Sequence, residues 1–491
     1  MFEAVELGQK ISKKEFDQEE PELRTRLLGL QHTIRETRIP VIVIVSGVEG
    51  AGKGEVVNRL SKWLDPRSIE TSAFWDESDE ERERPRYWRF WRRLPARGTF
   101  GIMFGSWYTR PIVDFVMGRI DNSEYERQLH HITQFEQLLT VDGALIVKFW
   151  FHLSGADQKK KLEKDKKAGR PSPILKQFSK HYAEFASASE HALRMTDTGD
   201  APWHLIEAAN DRYRDISVGR VLKAALEEKL ESSSVTATRN DRKIFTSIPD
   251  DDITILDHVD TTRTIPEKDY RKQLKDYQNE IYRLVWEARK QKRSTIAMFE
   301  GWDASGKGGA IRRLTAGMDA RLYKVISVAA PTDEEKAHHY LWRFWRHLPR
   351  AGYVTVYDRS WYGRVLVERV ENFATEDEWR RAYGEINDFE EQLHEHGIIL
   401  TKFWLHLDPE EQLRRFKERE VTAWKQHKIT EEDWRNREKW DDYKAAVNDM
   451  VAHTSTEYAP WSLIPANDKL FARIEILKTV HDRLSEALEK N

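Results

Sequence analysis

The chain carries one pattern twice, and this repetition constrains its fold more than any other feature. Around residue 300 it reads Glu300-Gly-Trp-Asp303-Ala-Ser-Gly306-Lys307-Gly-Gly309; 254 residues earlier it reads Ser46-Gly-Val-Glu49-Gly-Ala-Gly52-Lys53-Gly-Glu55. The same offset aligns Trp88-Arg-Phe-Trp91 with Trp342-Arg-Phe-Trp345, and Lys148-Phe-Trp150 with Lys402-Phe-Trp404. An offset that holds over such a span, without insertion, means two copies of one domain. The copies differ where it matters chemically. The second has Tyr357-Asp358-Arg359-Ser-Trp361-Tyr362, and the first has Met103-Phe104-Gly105-Ser-Trp107-Tyr108. If the chain performs phosphate chemistry, the second copy is the one equipped for it.

Composition narrows the class. The 491 residues are 39% hydrophobic and 33% charged, with a formal net charge of −3, so cores can form but no global basic field points to nucleic acid. The absence of cysteine excludes disulfides, thiolate metal sites and a cysteine nucleophile, and suits a reducing compartment. Met1–Glu20 is mostly polar, unlike a secretory leader, and no apolar run has the length of a membrane helix. The expectation is a cytoplasmic protein with no membrane association and no nucleic-acid partner.

The order of elements predicts an α/β fold of two tandem P-loop kinase-like domains, each a parallel sheet between helical layers. A charged, mostly helical lead-in covers residues 1–38. The apolar runs Val41–Val45 and Thr295–Phe299 read as buried strands, each followed by a glycine loop and a helix, the second from Gly308 to about Ala316. Val325–Ala329, Tyr353–Tyr357 and Ile398–Leu405 are further strands, with Trp203–Ile206 and Trp461–Ile464 the last of each copy. Trp379, Ala382, Ile386, Phe389 and Leu393 recur at helical spacing. The polar stretch Glu231–Thr238 reads as a linker, giving domains 1–235 and 236–491.

Gly301-x-x-x-x-Gly306-Lys307, after a strand and before a helix, has the form of a phosphate-binding loop. Backbone N–H groups of Gly301, Ser305, Gly306, Gly308 and Gly309 would face the anion, and Lys307 would reach a terminal phosphate. Gly308 stands where such loops place the hydroxyl that touches Mg²⁺. Asp303 within the loop is the natural substitute, and Asp358, directly after a strand, supplies a second hard oxygen ligand. From Lys336 to Val370 there are seven Lys/Arg against two acids, with Trp342, Phe344 and Trp345 interleaved. Arg343, Arg346, Arg350, Arg359, Arg364 and Arg369 exceed what a nucleotide alone needs and suit an extended polyanion. The polar helix from Asp408 to Arg419 is a candidate lid with Lys417 and Arg419 as its phosphate-facing cations; the first copy has Glu163 and Asp165 there. His338-His339 and His394-Glu-His396 lack the spacing of a helical metal pair.

Gly301–Gly309, Trp342-Arg-Phe-Trp-Arg-His-Leu-Pro349, Tyr357-Asp-Arg-Ser-Trp-Tyr-Gly-Arg364 and Trp461-Ser-Leu-Ile-Pro-Ala-Asn-Asp468 together resemble the type-2 polyphosphate kinase family. The fused two-copy layout is similar to its polyphosphate:AMP phosphotransferase branch. The resemblance implies a three-layer P-loop kinase fold, Mg²⁺ dependence, inorganic polyphosphate as donor, and AMP as acceptor, GMP not being distinguished from it. It implies catalytic roles for Asp303, Lys307, Asp358 and Arg359, with Asp303 and Asp358 as metal ligands. Gly301, Ser305, Gly306, Gly308, Gly309, Arg343, Arg346, Arg364, Lys417 and Arg419 would bind phosphate or substrate. A homo-oligomer is expected. The first copy departs from the pattern at Phe104, Gly105, Glu163 and Asp165 and is expected to be inactive, serving as a packing partner or as a polyphosphate-binding unit. The competing readings are a polyphosphate-dependent kinase of nucleoside diphosphates, an ATP-dependent nucleotide kinase, and a polyanion- or nucleic-acid-binding protein with a vestigial loop.

Overall fold

A computed structural model describes residues 1–167, 169, 173–234, 254–423 and 429–489. They form two units, each around its own five-stranded sheet. In the first, β1 (Val41–Gly47), β2 (Ile69–Ala73), β3 (Phe100–Phe104), β4 (Leu145–His152) and β5 (Trp203–Glu207) lie in the order 2-3-1-4-5, all parallel. In the second, β6 (Thr295–Gly301), β7 (Tyr323–Ser327), β8 (Val354–Asp358), β9 (Ile399–His406) and β10 (Trp461–Pro465) repeat that order. The expected α/β class and sheet type hold. The strand expected at Val325–Ala329 begins and ends two residues earlier. It is an edge strand whose side chains are only partly covered, so its ends carry no strong apolar signal. The expected boundary at 235/236 falls outside the described residues.

The central strands are buried along nearly their whole length and mostly apolar because helices cover both faces of each sheet. In the first unit Val41, Val43 and Val45 pack with Phe149 and Phe151 of β4. Leu27 and Ile34 of helix Lys13–Thr37 and Leu222 and Leu226 of helix Asp211–Ser234 close this side. Ser12 opens the helix Lys13–Thr37 with a capping box to Glu15. In the second unit helix Glu267–Lys290 packs on helix Lys469–Glu489, which touches β9 and β10, while helix Glu376–Glu395 touches β9 and helix Trp440–Thr454. Among the described residues no helix is long and apolar enough to cross a membrane.

Each unit also buries a lysine. Lys402 on β9 donates to Glu390 Oε2 at 2.7 Å, Tyr362 OH at 2.8 Å and Thr454 O at 2.7 Å. Trp361 Nε1 and Tyr362 OH both donate to Glu390 Oε1, at 3.0 and 2.7 Å. Lys148, Glu136, Tyr108, Trp107 and Thr196 reproduce the network in the first unit. Burial lowers the ammonium pKa of both lysines, and the facing glutamate opposes that shift. A charge pair with all its hydrogen bonds made fixes register and ring orientation more than it adds net stability. Here it seats the Trp-Tyr pair that follows each β3 or β8 strand.

Candidate active site

Parallel pairing brings the two halves of the candidate site together. β6 and β8 are neighbours with Phe299 opposite Asp358, and Arg359 N donates to Phe299 O at 3.0 Å. The glycine loop leaves the end of β6 beside Asp358 and Arg359 at the end of β8. Clefts at the carboxyl ends of parallel strands, where strand order reverses, are where such sheets bind ligands.

The loop's shape needs its glycines. Gly301 has φ +148° and a Cβ there would meet Leu405 O at 2.6 Å; Gly306 has φ +107°. Lys307 opens the helix Lys307–Thr315, one residue before the expected start, and its ammonium bends back to Gly301 O at 2.7 Å and Trp302 O at 3.2 Å. Burial lowers its pKa; Asp303, Asp358 and Glu300 pull it up and Arg359 pushes it down. Asp303, Lys307, Asp358 and Arg359 therefore share one electrostatic neighbourhood. Asp303 Oδ1 accepts from Arg359 Nη2 at 3.3 Å and Oδ2 from Asn436 Nδ2 at 2.9 Å. The Asp358 carboxylate accepts no hydrogen bond among the described residues. Two half-buried carboxylates with lone pairs to spare, beside a phosphate-type loop, fit a hard divalent cation such as Mg²⁺.

Arg359 is held at φ +62°, in the left-handed region, and Gly105 occupies the same place in the first unit at φ +73°. The conformation is built into both copies, and only the second keeps a side chain there, at a cost of about 1 kcal/mol. Arg359→Gly is expected to leave stability unchanged or raise it by up to about 1 kcal/mol, while phosphoryl transfer falls roughly 10²-fold. Urea midpoints and initial rates measured on one preparation check both halves.

The remaining expected cations are distributed unequally. Arg343 donates to Ala329 O at 3.0 Å, and Arg346 lies over the Trp342 ring at 4.5 Å. Arg364 sits over the Tyr340 ring at 4.5 Å with Glu368 at 3.3 Å, and Arg369 pairs with Asp449 at 2.7 Å. The candidate lid, helix Pro409–Val421, is anchored rather than loose along its first half. Gln412 Nε2 donates to Asp303 O at 3.1 Å. Arg415 is fully buried and donates to Ala304 O and Ser305 O of the loop, and to Ala466 O and Asn467 O. Lys417, which is exposed, and the half-buried Arg419 lie beyond these anchors. In the first unit Glu163 is exposed, and the Asp165 side chain lies outside the described residues.

Several participants escaped sequence reasoning. Arg415 was hidden among the charges of a polar helix, although Gln412, Arg415 and Phe416 mark its buried face at helical spacing. Asn436, from helix Glu431–Glu438, had no motif. Lys469 and Arg473 approach the loop from the last helix: a Cβ at Gly309 would lie 3.4 Å from Arg473 Nη2, and one at Gly306 4.0 Å from Lys469 Cγ. Aligning β5 with β10 puts Asp211 and Asp215 at these positions in the first unit. There, too, Lys53 is neutralised by Glu49 Oε1 at 2.6 Å.

His406, beneath the loop, accepts from Trp302 Nε1 at 3.2 Å through Nδ1. Burial lowers its pKa to about 4, outweighing the pull of Asp408. The folded protein thus resists a proton that the unfolded chain accepts, so this histidine's contribution is intact above about pH 6.5 and lost as pH falls to about 4, some 3 kcal/mol in all. Denaturant midpoints across pH 7 to 4 are expected to fall less steeply in His406→Gln than in the wild type.

The 2-3-1-4-5 sheet with a glycine loop after its central strand defines a P-loop kinase-like α/β protein. Comparison with known proteins narrows this further. The profile described as polyphosphate kinase 2 matches residues 10–234 and again 264–491, and the chain belongs to that family. It is 47% identical to the polyphosphate:AMP phosphotransferase of Pseudomonas aeruginosa, covering all of both chains. It is 36% identical to the protein of that name from Acinetobacter johnsonii, over 95% of this chain and 96% of the other. A solved polyphosphate kinase 2 structure from Pseudomonas aeruginosa superposes with a TM-score of 0.89 at 46% identity, covering all of both chains.

Proposed function

We propose that this protein transfers the terminal phosphoryl group of inorganic polyphosphate to AMP, forming ADP and a polyphosphate one unit shorter, and that the second unit does the work. The full-length relatives named polyphosphate:AMP phosphotransferase support the substrates. The observation that carries the reading is the gathering of Asp303, Lys307, Asp358 and Arg359 at the ends of β6 and β8, against Glu49, Lys53, Phe104 and Gly105 in the first unit.

An α-phosphate oxygen of AMP attacks the terminal phosphorus, and the bond from that phosphorus to its bridging oxygen breaks. Lys307 and the loop amides hold and orient the acceptor phosphate. Arg359, whose pKa is lowered by burial but raised more by Asp303, Glu300, Glu432 and Asp358, stays charged beside the transferred group. Asp303 and Asp358 would hold Mg²⁺, whose chemistry there would be to neutralise charge on the reacting oxygens. The acceptor is already an anion, so positioning and charge neutralisation suffice and no covalent intermediate is needed. Arg343, Arg346, Arg364, Lys417 and Arg419 would track the donor chain. A cytoplasmic location and a homo-oligomeric assembly belong to the same reading.

Incubation with polyphosphate and Mg²⁺ plus AMP, GMP, ADP or GDP in separate reactions tests it. ADP formed from AMP is expected to accumulate fastest. Faster conversion of ADP to ATP would overturn the reading in favour of a nucleoside-diphosphate kinase.

A further inference from the structure

The first unit contains a cavity of about 400 Å³ over its glycine loop, lined by Val48, Phe104, Trp150, Tyr182 and Phe185 among others, with Glu49 and Lys53 at its polar edge. The second unit shows what this space is shaped for. There Trp302 lies flat against Trp440, ring centroids 3.7 Å apart and planes 8° from parallel, with Trp404 at 5.6 Å and Tyr443 at 6.5 Å. The repeat sets Trp150 opposite Trp404, Tyr182 opposite Trp440 and Phe185 opposite Tyr443. All three line the first unit's cavity. The ring they would surround is missing, because Val48 stands where Trp302 stands. The aromatic walls are kept and the indole is gone.

A second observation concerns the missing ring's polar edge. Trp302 Nε1 donates to His406 Nδ1 at 3.2 Å. Its counterpart His152 is 1% exposed, has its Nε2 on Glu6 Oε1 at 2.7 Å, and leaves Nδ1 buried without a hydrogen-bond partner among the described residues. A buried polar atom left unpaired costs on the order of 1–3 kcal/mol. His152 does not itself line the cavity and its ring is stacked on Phe2, centroids 4.5 Å apart, so a ligand in the slot would meet Trp150, Tyr182 and the Lys53–Glu49 pair.

Charge selects among ligands. Lys53 is paired with Glu49 at 2.6 Å and donates to Gly47 O at 2.8 Å, and Phe104 and Gly105 remove the carboxylate and guanidinium of the second unit. An anion would have to separate the Lys53–Glu49 pair to gain a cation. A neutral ligand need not, and the pair offers it a donor and an acceptor side by side.

We infer that the first unit is a binding site for an uncharged, planar, bicyclic nitrogen heteroaromatic, stacked on Tyr182 in the slot that Trp302 fills in the second unit. Dry aromatic-lined cavities do take up flat apolar molecules, and this one lies in the size range of small-molecule sites. The same chemistry comes from two sources, a purine nucleobase or nucleoside and an indole. The site is independent of the proposed transfer reaction, and a chain that failed to phosphorylate AMP could still contain it.

Isothermal titration of the full chain with adenine, adenosine and indole tests the inference, with inorganic polyphosphate run beside them on Lys307→Ala so that the second unit's loop contributes less. At least one heteroaromatic is expected to bind, and which one identifies the source. Val48→Trp, which restores the second unit's ring, is expected to weaken that binding at least tenfold without lowering the thermal midpoint. Tyr182→Ala, which removes the stacking face, is expected to weaken it similarly and guards against misfolding of the first variant. No heat from any of the three, or binding unchanged in both variants, would overturn the inference. So would polyphosphate binding lost on Lys53→Ala, which would assign the site to an anion.

Discussion

Asp358→Asn is expected to slow ADP formation roughly 10³-fold at saturating Mg²⁺, with little change in the urea midpoint. The substitution keeps the side chain's shape and removes its charge. The carboxylate accepts no hydrogen bond among the described residues, so the fold has little stake in it. Its stake is electrostatic: it acts on Lys307 and Arg359 together with Asp303 and Glu300. An amide oxygen is a weaker ligand for a hard divalent cation, and the lost charge leaves Lys307 and Arg359 facing the phosphates with less to balance them. Raising Mg²⁺ should recover part of the rate. Activity within tenfold of wild type would remove Asp358 from the mechanism.

The first unit supplies the control. Lys307→Ala should be as damaging as Asp358→Asn, and Lys53→Ala should leave the rate unchanged, because Lys53 is already held by Glu49. Phe104→Asp should not confer activity on the first unit. A carboxylate alone would face Gly105 where Arg359 is needed, and Asp211 and Asp215 where Lys469 and Arg473 stand.

Much of this was legible in the chain because it is written in local order. Strand, glycine loop, helix and a strand-end aspartate are short-range patterns, and sheet pairing turns them into a site: Phe299 opposite Asp358 follows from a parallel register. What stayed hidden depends on which long side chain meets which carbonyl across tens or hundreds of residues. Arg415 looks like one of several charges on a solvated helix until its guanidinium is found on Ala304 O, Ser305 O and Ala466 O. Asn436 reaches Asp303 over 133 residues. The Val48–Trp302 difference was visible as two letters, but its meaning required Trp440 and Tyr182, which no local pattern ties to the loop.

The largest stability effect is expected at Lys402. It is 1% exposed, and Glu390 opposite it is fully buried. Lys402→Met removes the cation and leaves the carboxylate in the core, with Trp361 and Tyr362 as its remaining donors, so a loss of about 3–5 kcal/mol is expected. Lys402→Met/Glu390→Leu should regain part of that loss, because the buried charge goes with its partner. Recovery should stop short of wild type, because Trp361 Nε1 and Tyr362 OH then lose their acceptor. Lys148→Met breaks the same network in the first unit. The two lysine variants should lose similar stability, yet only Lys402→Met should also slow catalysis below its own unfolding range, since Trp361 and Tyr362 follow directly on Asp358, Arg359 and Ser360, and Ser360 Oγ donates to Glu300 at 2.8 Å. Urea midpoints for the three variants, with rates taken well below the transition, separate the two effects. Equal rate losses in Lys148→Met and Lys402→Met would mean that the two units share the chemistry.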